Sequence, residues 1–200
     1  ACAPFRRLHL CHHNLETIDT TSTTTNKLLA EVCMAAYYEG DIIKTHYTKH
    51  ERTNEGTASQ LCTVLARSFA DIGDIVRGRD IFRGNDKEKD QRKKLEKNLK
   101  TIFGNIWLIR QKKRKNTTKM ALQSFIKRED WWTANRETVW KAITCNAQGN
   151  TYFRTTCDSA DGKSQSQATK QCRCGDGDVN IVPTYFDYVP QYLRWFEEWA

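Results

Sequence analysis

The sequence lacks the features that mark membrane-spanning proteins and most enzymes. No apolar run reaches about 18 residues, and no charged start followed by an apolar stretch marks a signal peptide. There is no GxSxG elbow, no P-loop and no GxGxxG following a strand. The sequence therefore gives no specific support to a catalytic function.

The spacing of a zinc site is also absent. There is no CxxC pair, and no HExxH surrounds His46 and His50, although they lie four residues apart. The nearest candidate for a zinc site is Cys172 and Cys174 together with Cys157. Eight cysteines in 200 residues are more typical of an oxidising compartment. We therefore favour disulfides over a metal site and expect no cofactor.

The chain does contain enough apolar material for a folded core. Apolar residues make up 38% of it and aromatic residues 10%, with six Trp, a load that disordered chains do not carry. Most of the Trp residues fall in predicted apolar stripes, and Trp131 is the exception. A chain of 200 residues can form one domain with a sizeable core or two small ones.

Positive charge is concentrated in one part of the chain. The net charge is +8, but residues 77–128 hold 18 Lys or Arg against five Asp or Glu. Such a zone predicts a polyanionic partner, which is nucleic acid, acidic lipid or sulfated sugar. The alternative is a solvated helix face without a ligand. The cysteine content argues against an intracellular nucleic-acid partner, so a sulfated glycan or an acidic protein surface outside a cell fits better.

Apolar residues recur with helical periodicity in five segments. The predicted helices cover 26–47, 58–76, 86–109 and 128–143, with a last one opening at Pro190. Residues 146–182 lack periodicity and contain cysteines, which predicts a long cross-linked loop. No strand is convincing. The predicted fold class is therefore all-α, with long helices and cysteine-tied loops.

The third predicted helix has two contrasting sides. Lys93, Lys97 and Lys100 project from one side because their spacing is four and three residues. The apolar residues from Leu95 to Ile106 line the other side. The residues that we expect to contact a polyanion or receptor are Arg92, Lys93, Lys94, Lys97, Lys100, Arg110, Lys112, Lys113, Arg114 and Lys115.

The helix faces carry three further expectations. Cys33 and Cys62 each lie in the apolar stripe of their helix, which predicts a disulfide between the two packed helices. Arg136 lies in the stripe of the fourth helix, where it needs a carboxylate or carbonyl partner. Leu193 and Phe196 begin the apolar stripe of the last helix.

Five stretches of the chain together resemble one family. They are 2–11 (CAPFRRLHLC), 65–80 (LARSFADIGDIVRGRD), 128–136 (REDWWTANR), 138–145 (TVWKAITC) and 183–199 (PTYFDYVPQYLRWFEEW). In this order they are similar to the alpha type of the Duffy-binding-like (DBL) domain. That type lies near the N-terminus of the variant erythrocyte membrane protein 1 adhesins of the malaria parasite Plasmodium falciparum.

The resemblance implies a disulfide-linked helical bundle built from subdomains. It assigns 1–50 to the end of the first subdomain and a linking helix, 51–182 to the second subdomain and its loop, and 183–200 to the start of the third. The family's full domain is longer at both ends, so we expect this chain to be a segment of something larger. The family pattern also places the partners of Cys2 and Cys11 upstream, so we expect these two not to be bonded to each other.

The resemblance further implies a function. DBL proteins are displayed on the outer face of the infected red-cell membrane, vary antigenically and bind host receptors. Alpha-type domains are associated with rosetting, through heparan sulfate or other red-cell surface molecules. We therefore expect host-cell adhesion, with a host receptor and host antibodies as partners, no nucleic acid, and membrane attachment only through parts outside this chain. The alternatives are a protein receptor with a merely solvated basic face and, remotely, a nucleic-acid-binding module.

Overall fold

Helices dominate the computed structural model, which describes residues 2–11, 15–20, 24–51, 61–111, 120–147, 155–158, 165–168, 171–174 and 182–200. The elements in chain order are α1 (Phe5–Leu8), α2 (Thr25–Glu51), α3 (Leu61–Arg77), α4 (Asp86–Gln111), α5 (Met120–Ile143), β1 (Thr155–Asp158), β2 (Gln165–Gln167), a 3-10 turn (Phe186–Tyr188) and α6 (Gln191–Trp199). None of the helices in these residues has both the length and the apolar character needed to cross a bilayer. The predicted all-α class is confirmed.

Local sequence signals explain where α3 ends and where α4 begins. The chain leaves α3 at Gly78, whose φ of +75° lies in the left-handed region that favours glycine. Asn85 and Glu88 then form a capping box at the start of α4. The Asn85 Oδ1 accepts from the Glu88 N–H at 2.9 Å, and the Glu88 Oε2 accepts from the Asn85 N–H at 2.7 Å. The predicted start of this helix at residue 86 is confirmed, whereas α5 begins eight residues before its predicted start.

The core is built where α2, α3 and α5 pack against one another. The ring of Phe69 lies 5.1 Å from that of Trp132 and 5.2 Å from that of Trp140, and all three side chains are fully buried. The indole N–H groups of Trp132 and Trp140 donate to Asp187 at 2.8 Å and to the Cys172 carbonyl at 3.1 Å. Each large apolar side chain buried in this way stabilises the fold by about 1.5–3 kcal/mol.

Two glycines allow the helices to approach this closely. A Cβ atom at Gly40 on α2 would clash with the carbonyl oxygen of Ile143 on α5. A Cβ atom at Gly73 on α3 would lie 2.7 Å from the Cζ2 atom of Trp132. Both glycines therefore set how closely their helix packs against α5.

Two aromatic side chains lie where the helical pattern does not place them. Trp131 is only 7% exposed and packs edge-on against Phe103, because α4 covers the side of α5 that the apolar stripe leaves out. On α6 the outcome is the reverse, since Phe196 is 72% exposed. The predicted apolar stripe of α6 is therefore not its buried face. Its buried residues are Gln191, Arg194 and Trp195, because α3 offers carboxylates to this helix.

The expectation that the chain has no strand is wrong. β1 and β2 pair in an antiparallel two-stranded sheet inside the predicted loop. Their sequences, TTCD and QSQ, do not alternate apolar with polar residues, so the pattern gave no signal. A disulfide between Cys157 and Cys174 ties this region together, as the expected cross-linking requires.

The predicted bond between Cys33 and Cys62 is wrong. Cys62 is bonded to Cys172, with 5.6 Å between their Cα atoms, and Cys33 is a free thiol. Burial raises the pKa of Cys33 to about 11. The apolar stripes correctly predicted that both cysteines face the interior of the protein, but they do not identify the bonding partner. Because α3 packs against several elements, the element that reaches Cys62 is the long loop and not the part of α2 that carries Cys33. The alternative of a zinc site at Cys157, Cys172 and Cys174 is also wrong, because all three cysteines are in disulfides.

The cysteines near the start of the chain agree with the family pattern as far as they are tested. Cys2 is an exposed free thiol, so it is not bonded to Cys11. The partners upstream of the chain stay a prediction.

Candidate functional site

The α4 helix presents the two sides that its sequence predicts. Leu95, Leu99 and Ile102 are at most 6% exposed and face the core. On the opposite side, the side chains of Lys93 and Lys100 are 68% and 67% exposed. The apolar face fixes the helix on the domain, so the lysines point into solvent. We call Lys93, Lys94, Lys97 and Lys100 the α4 lysines.

Carboxylates on the same helix moderate the charge of the α4 lysines. The Lys93 Nζ lies 3.2 Å from the Asp90 carboxylate, and the Lys100 Nζ lies 3.5 Å from that of Glu96. Exposed pairs of this kind contribute about 0–1 kcal/mol, so an anionic ligand can replace them at little cost. Lys94 and Lys97 are exposed and form no ion pair within the described part of the chain. The surface can therefore hold an anion.

Arg92 has a different environment from the α4 lysines. Its guanidinium binds the Asp80 carboxylate at 2.6 Å and stacks over the ring of Phe82 at 5.4 Å. Burial lowers the pKa of Arg92, and the positive charge of the nearby Arg7 lowers it further. The negative charge of Asp80 raises it but does not fully compensate. Arg7 binds the same oxygen of Asp80, also at 2.6 Å. Arg92 therefore helps to hold α4 against the rest of the domain, besides its predicted role in binding.

The structure does not describe the side chains in the second half of the predicted basic surface. Arg110 lies in α4, but its side chain falls outside the described residues. Lys112, Lys113, Arg114 and Lys115 also lie outside them. Their part in a ligand site stays a prediction.

A second group of charged residues lies where α1, α3 and α6 meet, and we call it the arginine network: Arg6, Asp71, Asp74, Arg194 and Glu198. Asp71, Asp74 and Arg194 are buried, and Arg6 and Glu198 are half-buried. Asp71 on α3 accepts from Arg6 of α1 and from Arg194 of α6, at 2.7 Å each. Arg194 also donates to Asp74 at 2.6 Å, and Arg6 donates to Glu198 at 3.0 Å. The network thereby joins three helices that are far apart in the sequence.

The two aspartates of the network differ in their proton affinity. Burial alone would raise the pKa of Asp71, but the charges and hydrogen bonds of Arg6 and Arg194 outweigh it and hold that pKa below its ordinary value. Burial raises the pKa of Asp74, and the charges of Arg194 and Arg77 do not fully compensate for it. Of these two aspartates, Asp71 is therefore the one that the network stabilises as an anion.

Arg136 receives the kind of partner that its buried position predicts. Its guanidinium forms a two-point contact with the Asp187 carboxylate, at 2.8 and 2.9 Å, and donates to the Thr184 carbonyl at 2.8 Å. Arg77 donates to the carbonyl oxygen of Asp187 as well. The expectation that Arg136 is structural is confirmed. Asp187 itself escaped the sequence reasoning, because it lies in a segment without periodicity.

Comparison with known proteins decides the family. A family model for the Duffy binding domain matches residues 1–194. The chain belongs to that family. The DBL resemblance seen in the five sequence stretches is thus confirmed over nearly the whole chain. The residues of the arginine network come from three of those stretches, 2–11, 65–80 and 183–199.

Solved DBL domains are similar in sequence and fold. The NTS-DBL1(alpha-1) domain of the Plasmodium falciparum membrane protein 1 (PfEMP1), varO strain, is 41% identical with a TM-score of 0.78, covering 100% of this chain and 43% of that one. A PfEMP1 DBLbeta domain solved bound to ICAM-1 is 30% identical with a TM-score of 0.69, covering 100% of this chain and 44% of that one.

A curated relative is more distant and much longer. The Duffy receptor beta form of Plasmodium knowlesi is 24% identical over 210 residues, covering 100% of this chain and 14% of that protein. The chain therefore spans less than half of the solved relatives and a small part of the curated one.

Proposed function

We propose that this chain is part of a host-cell adhesion domain and that the α4 lysines contact a sulfated glycan on the receptor cell. The observation that carries the proposal is the pair of opposite faces on α4. Leu99, 1% exposed, anchors one face, and the side chains of Lys93 and Lys100, each about two-thirds exposed, extend from the other. A sulfated polysaccharide would meet lysines whose backbone positions are already fixed by the packing of α4.

The family supports the adhesive role. The relatives are DBL domains of a Plasmodium membrane protein, and one of them was solved bound to the host protein ICAM-1. We propose that this chain is displayed on the outer face of the infected red cell, in a protein that contributes to rosetting; the likeness to PfEMP1 domains supports this proposal. The division of the chain at residues 50 and 182 into parts of three subdomains stays a prediction.

The chemistry of the side chains favours sulfate over a neutral sugar. Lysine ammonium groups are compact charges that bind sulfate oxygens without a fixed geometry, which suits a flexible polysaccharide. Each contact displaces a counterion from the polyanion, so affinity falls steeply as salt rises, by analogy with nucleic acids. A contact that depends on hydrogen bonds to neutral hydroxyl groups would show little dependence on salt.

The direct test measures binding of the folded chain to three glycans of equal length: heparin, desulfated heparin and hyaluronan. We expect heparin to bind, with an affinity that decreases linearly with salt on a double-logarithmic plot. Hyaluronan and heparin that has been desulfated and then N-acetylated carry only carboxylates, and we expect them to bind at least about tenfold more weakly. Equal binding of all three would show that sulfate is not recognised.

A protein receptor is the second candidate. Lys93 and Lys100 are already paired with Asp90 and Glu96, as expected of a face that is only solvated. In that case heparin binds weakly, and substitutions of the α4 lysines leave binding to host cells unchanged. The same cell-binding assay with and without soluble heparin separates the two candidates, since only the glycan proposal predicts competition.

A further inference from the structure

A cleft of about 220 Å³ opens between α1, the end of α3 and the first half of α4. Its lining includes Arg7, Asp80, Phe82, Arg92 and Leu95, whereas none of the α4 lysines lines it. The cleft is smaller than the roughly 300–1,000 Å³ of drug-sized ligand sites, so it suits a single side chain. The charges and donors on its wall decide which kind of side chain that is.

Two guanidinium groups share one carboxylate in this cleft. Arg7 and Arg92 each lie 2.6 Å from the same Oδ2 atom of Asp80. The Oδ1 atom of Asp80 accepts from the Phe82 N–H at 3.3 Å and from the Gln191 amide at 2.8 Å. A carboxylate has about four acceptor positions, so Asp80 has none left for further donors. One negative charge therefore faces two positive charges.

The guanidinium pair also keeps donors that Asp80 does not use. Both groups bind this carboxylate through Nη2. Arg7 is 4% exposed, and its Nε has no hydrogen-bond partner in the described part of the chain. A buried donor without an acceptor is unfavourable, so an acceptor that reached Arg7 would be bound with a gain. The side chain of Arg92 is 27% exposed, so this pair can be reached from solvent.

The other acidic groups of the lining are engaged elsewhere. Glu96 lies 3.0 Å from Arg128 and 3.5 Å from Lys100. Glu88 accepts a backbone N–H in the capping box, where the start of the α4 helix dipole stabilises its charge. Glu16 has an interaction of its own. Within the described residues, none of these three carboxylates forms an ion pair with the guanidinium pair.

The pKa of Arg92 reflects this shortage of negative charge. Burial lowers that pKa, and the charges of Asp80 and Glu96 do not fully compensate, since Arg7 acts in the same direction as burial. An anion bound beside Arg92 would oppose the shift, because it favours the charged form of the guanidinium group.

The rest of the wall is apolar. Leu10 and Leu95 are 3% and 6% exposed and belong to the core, so packing fixes their positions. The ring of Phe82 is buried beneath the two guanidinium groups, whose Cζ atoms lie 4.5 and 5.4 Å from its centroid. Leu8 is 45% exposed, so an aliphatic stem that entered the cleft would cover apolar surface now in contact with water.

We propose that the cleft binds the side-chain carboxylate of a glutamate or aspartate from a partner protein. The carboxylate would accept from Arg7 and Arg92, and its stem would lie against Leu8 and Leu95. Guanidinium groups match the two oxygens of a carboxylate, and an aliphatic stem matches the apolar wall better than the hydroxyl groups around a sugar sulfate do. The contact does not use the α4 lysines, so it is independent of the glycan proposal.

The test uses the folded chain in low-chloride buffer at pH 7 and small probes followed by amide chemical shifts. The probes are butyrate, n-butylammonium, inorganic sulfate and a blocked Gly-Glu-Gly tripeptide. We expect butyrate and the tripeptide to shift the amides of Leu8, Phe82 and Arg92 at millimolar concentration, and n-butylammonium to leave them unchanged.

Four other results would each overturn the proposal. Sulfate bound more tightly than butyrate would assign the cleft to a glycan sulfate. Binding of n-butylammonium would reverse the sign of the charge that the cleft selects. Binding of butyrate without the tripeptide would restrict the cleft to small free acids. The absence of any shift from butyrate and the tripeptide would show that no carboxylate is bound.

A matched pair of variants tests the part played by the guanidinium pair. Arg92→Gln removes one of its cations and leaves Asp80 bound to Arg7. Lys89→Gln removes an exposed cation on the same helix, outside the cleft. We expect Arg92→Gln to weaken butyrate at least about fivefold and Lys89→Gln to change it less than about twofold. Unchanged amide shifts in α5 and α6 verify that each variant is folded. Equal weakening by both variants would reduce the effect to general electrostatics and overturn the site.

Discussion

The α4 lysines and the arginine network use positive charge for opposite purposes. The side chains of Lys93 and Lys100 are 68% and 67% exposed, and their carboxylate partners are one turn away on the same helix. The side chains of Arg6 and Arg194 are 10% and 2% exposed, and their partner Asp71 lies on another helix. Local, exposed pairs leave the lysines available to a ligand. Long-range, buried pairs join helices and are not available.

The side-chain types fit these two environments. The planar guanidinium of arginine donates several hydrogen bonds in fixed directions, so Arg194 can bind Asp71 and Asp74 at once. The ammonium of lysine is strongly hydrated and is costly to bury. The contrast predicts that substitutions in the network change stability and that substitutions of the α4 lysines change binding.

The largest expected effect is on the network. Asp71→Asn leaves the guanidinium groups of Arg6 and Arg194 without their shared carboxylate, which should cost about 3–5 kcal/mol in the free energy of unfolding. Urea unfolding followed by circular dichroism measures the loss. The matched control is Asp90→Asn, whose side chain is 76% exposed and whose loss should cost less than about 1 kcal/mol. Similar costs for the two variants would remove the distinction between buried and exposed pairs.

The disulfides are expected to contribute on a similar scale. Cys62→Ala combined with Cys172→Ala opens a loop with a sequence separation of 110 residues. We expect a loss of about 2–5 kcal/mol, against about 1 kcal/mol or less for Cys33→Ala. Urea unfolding gives both numbers, and peptide mapping without reduction checks the pairing. Recovery of a peptide that joins Cys33 to Cys62 would contradict the structure.

The pH dependence sharpens the comparison within the network. The pKa of Asp71 is lowered in the folded protein, so its contribution to stability is present above its ordinary pKa and is lost as the pH falls through the folded value. The pKa of Asp74 is raised, so its contribution is largest at acid pH and declines as the pH rises through the folded value.

Two variants read out this difference. Asp71→Asn should cost more than Asp74→Asn at pH 7, and the cost of Asp71→Asn should shrink below about pH 4. Unfolding curves in urea from pH 3 to pH 8, roughly the range in which carboxylates change their charge, provide the measurement. A cost for Asp71→Asn that grows on acidification would reverse the sign that we assign.

The smallest expected effect on stability belongs to the α4 lysines. Lys97→Glu combined with Lys100→Glu changes exposed charges only, and we expect a change of less than about 1 kcal/mol in the free energy of unfolding. The matched control is Lys27→Glu with Lys141→Glu, which alters two exposed lysines on α2 and α5 by the same charge. A loss of several kcal/mol in the α4 variant alone would show that these lysines hold the fold.

How far the sequence predicts this molecule depends on which physical signal each residue carries. The periodicity of Leu95, Leu99 and Ile102 was sufficient to orient α4 and its lysines. Periodicity does not say which neighbour covers a face, and the pairing of Cys62 and the inverted burial of α6 were missed for that reason.

The arginine network shows a second limit. Asp71, Asp74 and Arg194 lie in stretches that identified the family, yet Arg194 is at least 120 residues away in the sequence from the two aspartates that it binds. A single sequence contains no signal for such pairs. Arg136 was predictable only as a residue in need of a partner, and the structure was needed to identify Asp187.

The salt dependence of heparin affinity in the two lysine variants tests the central claim most directly. For Lys97→Glu with Lys100→Glu, we expect weaker binding and a slope of log affinity against log salt that is smaller by about 2. For Lys27→Glu with Lys141→Glu, we expect the slope of the unaltered chain. If the α4 variant keeps its fold and binds heparin with an unchanged slope, the exposed lysines of α4 are a solvated face and the receptor is bound elsewhere.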